Sequence, residues 1–298
     1  MPTMNPTASF TRRQILKTLG TVTLLATSGL SGPARAAEAE GAPAAGRKGR
    51  IKQGITRGCL RGIASLDEMA AICAELGIAG IDFVAPKDFP VLQKHGLICP
   101  CVHSGKLTEG LNNPAHHAAS LASLRQAIDD AAAAGYPNVL CFSGNRAGID
   151  DETGLRACTR ALEQVIGLAE QKGVTICMEL LNSKRDHRDY QCDRTAWGVE
   201  LCKRVNSPRF KLLYDIYHMQ IMEGDVISTF RTNVRYIGHV HTAGVPGRNE
   251  IDETQELYYP AIIRAIAESG YAGYVSHEYG PKRNPVESLR RAVELCDV

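Results

Sequence analysis

Four short apolar runs in the second half of the chain each end in an ionisable side chain. The runs end at Glu179, Asp215, His241 and Glu278, so that successive side chains are 36, 26 and 37 residues apart. These intervals are about the length of one strand plus one helix. Because the parallel strands of a β/α barrel end at one face, their terminal side chains meet there. The pattern therefore predicts a cluster of three carboxylates and one imidazole.

Strand-like and helix-like segments alternate from Arg50 to the end of the chain. Eight nearly continuously apolar strands are expected, as in a sheet covered on both faces. No glycine-rich phosphate loop follows the first strand, where the sequence is Gly58-Cys-Leu-Arg-Gly62, and this disfavours an open dinucleotide-binding sheet. The predicted fold is α/β, a (β/α)8 TIM barrel that forms a single catalytic domain over residues 50–298.

Several boundaries follow from local signals. Ser65-Leu-Asp-Glu is a capping box and predicts the start of a helix. One continuous helix is predicted over 151–172, stopped by Gly173. The predicted strands are 51–56, 80–84, 97–103, 138–142, 174–179, 210–215, 236–241 and 274–278.

The N-terminal segment has the features of an export signal. Arg12 and Arg13 precede a mildly apolar stretch from Leu19 to Leu30, and Ala34-Arg-Ala36 matches a cleavage site. Residues 1–36 are predicted to be a twin-arginine signal, with an ordinary Sec signal or an uncleaved anchor as alternatives, and 37–49 a linker. The apolar stretch is too short and polar for a stable membrane span. A periplasmic or secreted location is therefore expected.

The composition limits the classes of binding partner and the expected state of the cysteines. A hydrophobic content of 44% supports one large core, and a formal net charge of +2 gives no reason to expect nucleic acid. The ten cysteines are scattered, with no C-x2-C pair for zinc. Most are expected to be buried free thiols, although an isolated disulfide is left open. The sequence leaves a homo-oligomer open as well.

The motifs around the four strand ends resemble those of xylose isomerase-like TIM barrels, the sugar phosphate isomerase/epimerase superfamily. The longest motif, Leu213–Gly224, is most similar to the signature of hydroxypyruvate isomerases. Three further blocks resemble those of the superfamily: Met178–Asn182, Gly238–His241 with Pro246–Glu250, and His277–Tyr279.

The resemblance implies roles for particular residues. Glu179, Asp215, His241 and Glu278 would bind one divalent metal ion, and Glu179 and Glu278 would also transfer protons. His218 and Arg248 match positions that contact substrate. Oxygen and imidazole ligands favour Mn²⁺ or Mg²⁺, with Zn²⁺ or Co²⁺ possible. Two further substrate contacts are suggested by position, His103 at the end of the third strand and Lys184 in the basic segment after Glu179.

The resemblance implies an isomerase acting on a small carbohydrate-derived substrate, of the aldose/ketose or hydroxypyruvate/tartronate semialdehyde type, through an enediolate. Two features leave the substrate open. Bacterial hydroxypyruvate isomerases often have Gln where this chain has His241, and residues 183–194 are unusually charged. Alternatives are an epimerase or a hydratase/lyase for 3-keto sugars or glycosides, and a periplasmic sugar-binding protein. An endonuclease IV-like enzyme is disfavoured by the near-neutral charge.

Overall fold

The computed structural model describes residues 48–298. Its strands are β1 Lys52–Thr56, β2 Gly80–Asp82, β3 Cys101–Val102, β4 Asn138–Cys141, β5 Thr175–Glu179, β6 Phe210–Asp215, β7 Ile237–Thr242 and β8 Tyr274–His277. Its α-helices are α1 Leu66–Glu75, α2 Phe89–Lys94, α3 His117–Ala134, α4 Asp151–Glu163, α5 Ile166–Lys172, α6 Thr195–Val205, α7 Ile216–Met222, α8 Val226–Asn233, α9 Tyr259–Glu268 and α10 Pro285–Leu295. Short 3-10 helices lie at Arg57–Leu60, Pro86–Asp88, Pro114–His116 and Val234–Tyr236.

The eight strands form one parallel sheet in the order β2-β1-β8-β7-β6-β5-β4-β3. Backbone hydrogen bonds bring its two edges together, because the amide of Ile81 donates to the carbonyl of Ile98 at 3.0 Å and that of Phe83 to Cys101 at 2.9 Å. The predicted single-domain TIM barrel is therefore confirmed. All eight strands end at one face of the barrel, which is the arrangement predicted from the polar side chains at the strand ends.

The N-terminal predictions are not tested by the fold. The predicted export signal at 1–36 and all of the predicted linker except Lys48 and Gly49 lie outside the described residues. The backbone amides of Lys48 and Gly49 donate to the Asp297 carboxylate at 3.0 and 3.1 Å. Within residues 48–298, no helix is long and apolar enough to cross a bilayer.

The largest differences from the predicted elements are in three places, while the other strand ends differ by at most two residues. The helix predicted over 151–172 is two helices, because Val165 leaves helical geometry at φ −132° and is buried in the core. The strand predicted over 97–103 shortens to Cys101–Val102, and α7 follows β6 directly without having been predicted. The capping box is confirmed, since the Ser65 hydroxyl accepts a bond from the Glu68 amide at 3.1 Å.

All ten cysteines are buried free thiols, as expected. They lie in the layer between strands and helices and in the barrel wall, where they pack as small apolar side chains. Burial raises their thiol pKa, to about 12 for Cys59 and Cys202, so these thiols stay protonated at neutral pH.

The seam between β2 and β3 generates a stability prediction. A Cβ at Gly80 would lie 2.4 Å from the Ile98 carbonyl oxygen and 2.7 Å from the Pro100 ring. We expect Gly80→Ala to destabilise the protein by about 1–3 kcal/mol, because this backbone contact closes the barrel. The midpoint of urea unfolding, followed by circular dichroism, measures the loss.

Gly167→Ala is the matched control for this substitution. Gly167 lies exposed in α5, and a Cβ there meets no atom within 4 Å. Because alanine has a higher helix propensity than glycine, the stability of the Gly167→Ala variant should equal that of the wild type or exceed it slightly. Equal stability of the two variants would contradict a tightly closed seam.

Candidate active site

The four strand-end side chains meet at one point of the barrel mouth. Glu179 and Asp215 are the last residues of β5 and β6, His241 lies in β7, and Glu278 directly follows β8. Asp215 and His241 are register partners on adjacent strands. One ligand atom from each of the four lies within 4.8 Å of the other three. The structure thus assembles the predicted quartet.

Asp215 is shared between the quartet and the start of α7. Its Oδ1 accepts hydrogen bonds from the amides of Tyr217 at 2.8 Å and His218 at 3.3 Å, which is the geometry of a helix N-cap. The other oxygen, Oδ2, faces the quartet and lies 3.4 Å from Arg248 Nη2. The cap therefore fixes the rotation of this carboxylate and leaves one oxygen for binding.

Asp82, at the end of β2, supports the imidazole of His241 from behind. Its Oδ2 lies 3.1 Å from His241 Nε2 and 2.7 Å from His239 Nε2, and all three side chains are fully buried. The opposite nitrogen, His241 Nδ1, lies 2.9 Å from Glu278 and 3.7 Å from Glu179. Burial lowers the pKa of His241, but the charge of Glu278 and the bond to Asp82 outweigh it and raise that pKa, so the ring is cationic without a bound metal ion. A divalent cation would replace the proton on Nδ1, while Asp82 would keep the proton on Nε2.

His218 presents a hydrogen-bond donor to the site. The Asn182 amide oxygen accepts from the backbone amides of Arg185 and Asp186, which identifies Asn182 Nδ2 as the donor to His218 Nδ1 at 2.6 Å. The proton of a neutral His218 then lies on Nε2, a buried atom with no hydrogen-bond partner in the described part of the chain. Burial and the charge of Arg248 lower the pKa of His218, which keeps the ring neutral.

Arg248 brings positive charge to the quartet, and its contact with substrate stays a prediction, as does that of His218. Its Nη2 donates to Glu278 at 2.7 Å and lies 3.4 Å from Asp215, while its guanidinium stacks over the Tyr217 ring at 5.3 Å. The residue has φ 56°, and its carbonyl accepts the Gly280 amide at 2.9 Å. The loop after β7 is thereby tied to the loop after β8.

The protein groups push the pKa values of the two glutamates apart. Burial, and then the charge of Glu278, raise the pKa of Glu179. Burial acts the same way on Glu278, but His241 and Arg248 outweigh it and lower the pKa of that carboxyl. One carboxyl of the pair thus favours its protonated form and the other its ionised form, which is the separation that an acid and a base need.

The donor set fits a divalent cation. Three buried or half-buried carboxylates and one imidazole nitrogen converge on one point, and burial raises the pKa of Asp215 as well as that of Glu179. The local cations therefore leave part of the negative charge uncompensated, which a bound cation would neutralise. A second triad, Asp82, His239 and His241, shares His241 with the quartet. We interpret it as support for that imidazole, because its shared nitrogen faces away from the quartet.

The remaining two predicted substrate contacts lie in different surroundings. His103 is exposed at the mouth, with its ring centroid 5.9 Å from that of Phe83, which in turn lies 5.5 Å from the His241 ring. Lys184 instead donates from Nζ to the carbonyls of Ile221 and Met222 at 2.9 Å each, at the end of α7. That ammonium group caps a helix, and its substrate contact stays a prediction.

A cavity of about 370 Å³ opens beside the quartet. Glu278, Arg248, Asp82 and Phe83 form its inner wall, and Arg57 and Arg61 form its outer wall. Sequence reasoning missed Asp82, Arg57 and Arg61. A carboxylate ending the β2 strand was the available signal for the first, and two arginines directly after β1 for the others.

Comparison with known proteins places this site in a family. Residues 70–297 match the xylose isomerase-like TIM barrel family. The chain belongs to that family. A human protein provisionally named hydroxypyruvate isomerase is 30% identical over 181 residues, which are 59% of this chain and 65%, just under two thirds, of that protein. The 2-oxo-tetronate isomerase of Cupriavidus necator is 28% identical over 236 residues, 74% of this chain and 88% of that one.

Solved structures agree in fold. An AP endonuclease of family 2 from Brucella melitensis has a TM-score of 0.71 at 24% identity, covering 80% of this chain and 96% of its own. D-psicose 3-epimerase from Clostridium cellulolyticum, solved with D-tagatose, has a TM-score of 0.69 at 19% identity, covering 83% and 98%. At such identities these likenesses describe the barrel alone.

The Asp82–His241 contact generates a metal-binding prediction. We expect Asp82→Asn to weaken divalent cation binding about 10- to 100-fold, because outer partners of this kind orient ligands and increase their basicity. Calorimetric titration of the chelator-treated protein with Mn²⁺ measures the affinity. Asp88→Asn, on the outer helical layer without a side-chain cap bond, is the control. Equal affinity in the wild type and both variants would show that Asp82 does not contribute to metal binding.

Proposed function

We propose that the protein is a metal-dependent isomerase that moves a carbonyl group between adjacent carbons of a small sugar-derived substrate. The observation that carries this proposal is the Glu179 and Glu278 pair, which shares His241 Nδ1 at 3.7 and 2.9 Å and has oppositely shifted pKa values. The C. necator relative, named 2-oxo-tetronate isomerase and matched over 88% of its length, supports the reaction type.

The proposed reaction is a proton transfer between two carbons. With hydroxypyruvate as the example, ionised Glu278 takes a proton from the hydroxymethyl carbon, and the C–H electron pair becomes a C=C bond while the carbonyl pair moves to its oxygen. Glu179 then protonates the former carbonyl carbon, and the hydroxyl proton passes from one oxygen to the other. The product is an isomer of the substrate, formed without a redox partner, and the proton that Glu278 took passes back to Glu179 before the next turnover.

The surrounding residues orient the substrate and stabilise charge. His218 Nε2–H lies 3.6 Å from Asp215 Oδ2 and has no hydrogen-bond partner in the described part of the chain, so it would donate to a substrate oxygen. Asn182 holds this tautomer. A divalent ion bound by Glu179, Asp215, His241 and Glu278 would supply fixed positive charge beside the negative charge that develops on the substrate oxygens. Arg248, stacked on Tyr217, keeps Glu278 ionised between turnovers.

Epimerisation of a keto sugar is the second candidate. Glu179 ends β5 while Glu278 follows β8, so the two carboxyl groups approach the site from different strands and can face opposite sides of one carbon. The two reactions differ only in the carbon that receives the returned proton. NMR spectroscopy of the products formed in heavy water separates them by the position of the deuterium.

The two glutamates generate a kinetic prediction. We expect Glu179→Gln and Glu278→Gln each to lower kcat by about 10²- to 10⁴-fold at saturating metal, because each variant lacks one proton carrier. Deuterium exchange at the hydroxymethyl carbon should fall with kcat in Glu278→Gln, whereas Glu179→Gln keeps the base that removes this proton and should keep the exchange. Glu163→Gln, an exposed carboxylate at the end of α4, should leave both unchanged.

Three outcomes would contradict the proposed function at different points. Undiminished turnover in both variants removes the proton-transfer role of the glutamates. Activity that is undiminished after dialysis against a chelator, and that does not rise on adding Mn²⁺, Mg²⁺, Co²⁺ or Zn²⁺, would show that the reaction needs no metal ion. Specific sugar binding with no exchange in any substrate would indicate a binding protein instead.

We also propose that the protein acts outside the cytoplasm after twin-arginine export. The ten buried free thiols support a chain that folds before it reaches an oxidising compartment. Replacing both Arg12 and Arg13 by Lys should keep the precursor in the cytoplasmic fraction of a Gram-negative host, detected by immunoblotting. Unchanged appearance of mature protein in the periplasm would indicate the Sec route.

A further inference from the structure

Two arginines project from the turn that follows β1. Arg57 is the first residue after that strand, and Arg61 follows the short 3-10 helix Arg57–Leu60. The turn is anchored by Cys59 and Leu60, which are fully buried, and Cys59 Sγ donates to the His277 carbonyl at 3.1 Å. The anchored backbone leaves the two guanidinium groups exposed at the barrel mouth.

These two charges differ from that of Arg248. Arg248 is paired with Glu278 and Asp215, so its charge is offset within the quartet. Within residues 48–298, no carboxylate lies within ion-pair distance of Arg57 or Arg61. The outer wall of the cavity therefore carries two positive charges that no described side chain neutralises.

The arginines lie close to the reacting end of the cavity. Arg57, Arg61 and Glu278 line the same space of about 370 Å³. Arg61 Nη2 would lie 3.9 Å from a Cβ at position 280, two residues after Glu278. At this distance the Arg61 guanidinium lies beside the backbone that follows Glu278.

We propose that Arg57 and Arg61 form an anion subsite that binds a carboxylate on the carbon next to the substrate carbonyl. The proposal rests on the proposed isomerase and specifies its substrate class as short 2-oxo acids. Guanidinium groups pair with carboxylates through two parallel hydrogen bonds, which orient as well as attract. A carboxylate one bond from the carbonyl requires cationic groups in the cavity that holds the reacting carbons, and Arg57 and Arg61 line the cavity that Glu278 lines.

A phosphate ester is the other source of negative charge at this wall. Its ester oxygen and phosphorus place the charge at least two bonds further from the reacting carbons. Arg57 and Arg61 line the same cavity as Glu278. The C. necator relative is named for a 2-oxo acid, in which the carboxylate adjoins the carbonyl, and this favours the carboxylate.

The test compares two substrates that differ in one group. Hydroxypyruvate and dihydroxyacetone both have a hydroxymethyl ketone, but only the first has a carboxylate beside the carbonyl. For the metal-loaded wild type we expect a higher kcat/KM with hydroxypyruvate. Arg57→Gln and Arg61→Gln should each raise KM for hydroxypyruvate about 10- to 100-fold, the effect of losing one charge-assisted contact. Both should leave kcat and the dihydroxyacetone kinetics nearly unchanged.

Arg264→Gln is the control for a general charge effect. Arg264 is exposed on α9, away from the residues that line the cavity, and its loss removes the same charge. Its KM for both substrates should equal that of the wild type. Raised ionic strength should increase KM for hydroxypyruvate in the wild type and much less in the Arg57→Gln, Arg61→Gln double variant.

Three results would overturn the subsite. One is a wild type that uses dihydroxyacetone as efficiently as hydroxypyruvate. Another is a loss with Arg57→Gln and Arg61→Gln that is equal for both substrates, which would indicate general damage. The third is a larger kcat/KM with dihydroxyacetone phosphate that falls in these variants, which would assign the arginines to phosphate.

A binding measurement tests the anion subsite independently of the proposed isomerase activity. Calorimetric titration with D-glycerate, which has the carboxylate but no carbonyl, needs no turnover. About tenfold weaker binding to the metal-loaded double variant than to the wild type supports the subsite even if no substrate is isomerised. Equal binding overturns it even if isomerase activity is present.

Discussion

The burial of like charges at the mouth of the barrel is the constraint on which the rest of the site depends. Two carboxylates 4 Å apart repel each other by about 4 kcal/mol at an effective dielectric of about 20. Glu179, Asp215 and Glu278 are all held within such distances. The chain offsets part of this cost with Arg248 and His241, and with backbone amides at Asp215. The part that remains raises the pKa of Glu179 and leaves negative charge that a bound cation would neutralise.

Closure of the barrel brings together the groups that offset the repulsion among the buried carboxylates. Asp82 lies on β2 and His241 on β7, with β1 and β8 between them in the sheet. Their side chains meet because both point into the barrel, where Asp82 holds His239 and His241 at once. The seam at Gly80 lies two residues before Asp82, so the packing that closes the barrel also positions the support of the imidazole.

The sequence revealed the quartet but not its support. Glu179, Asp215, His241 and Glu278 end apolar runs at regular intervals, a one-dimensional signal that strand geometry converts into one site. The Asp82–His239 contact joins residues 157 positions apart, and no local pattern encodes that pairing. Lys184 illustrates the opposite case, since its charge suggested a substrate contact but its ammonium group satisfies helix carbonyls. Only the packed structure shows which charges already have partners.

In the proposed enzyme, chemistry and substrate choice lie on different parts of the barrel. The quartet sits at the ends of β5 to β8, on backbone fixed by neighbouring strands. Arg57 and Arg61 lie on the turn after β1, and their side chains extend into the cavity from its outer wall. Changes in that turn need not disturb the metal or the acid/base pair, because loops at this face vary while strand ends hold the reacting groups. In the proposed enzyme, the positive charge on the β1 turn would therefore select the substrate while the quartet carries out the reaction.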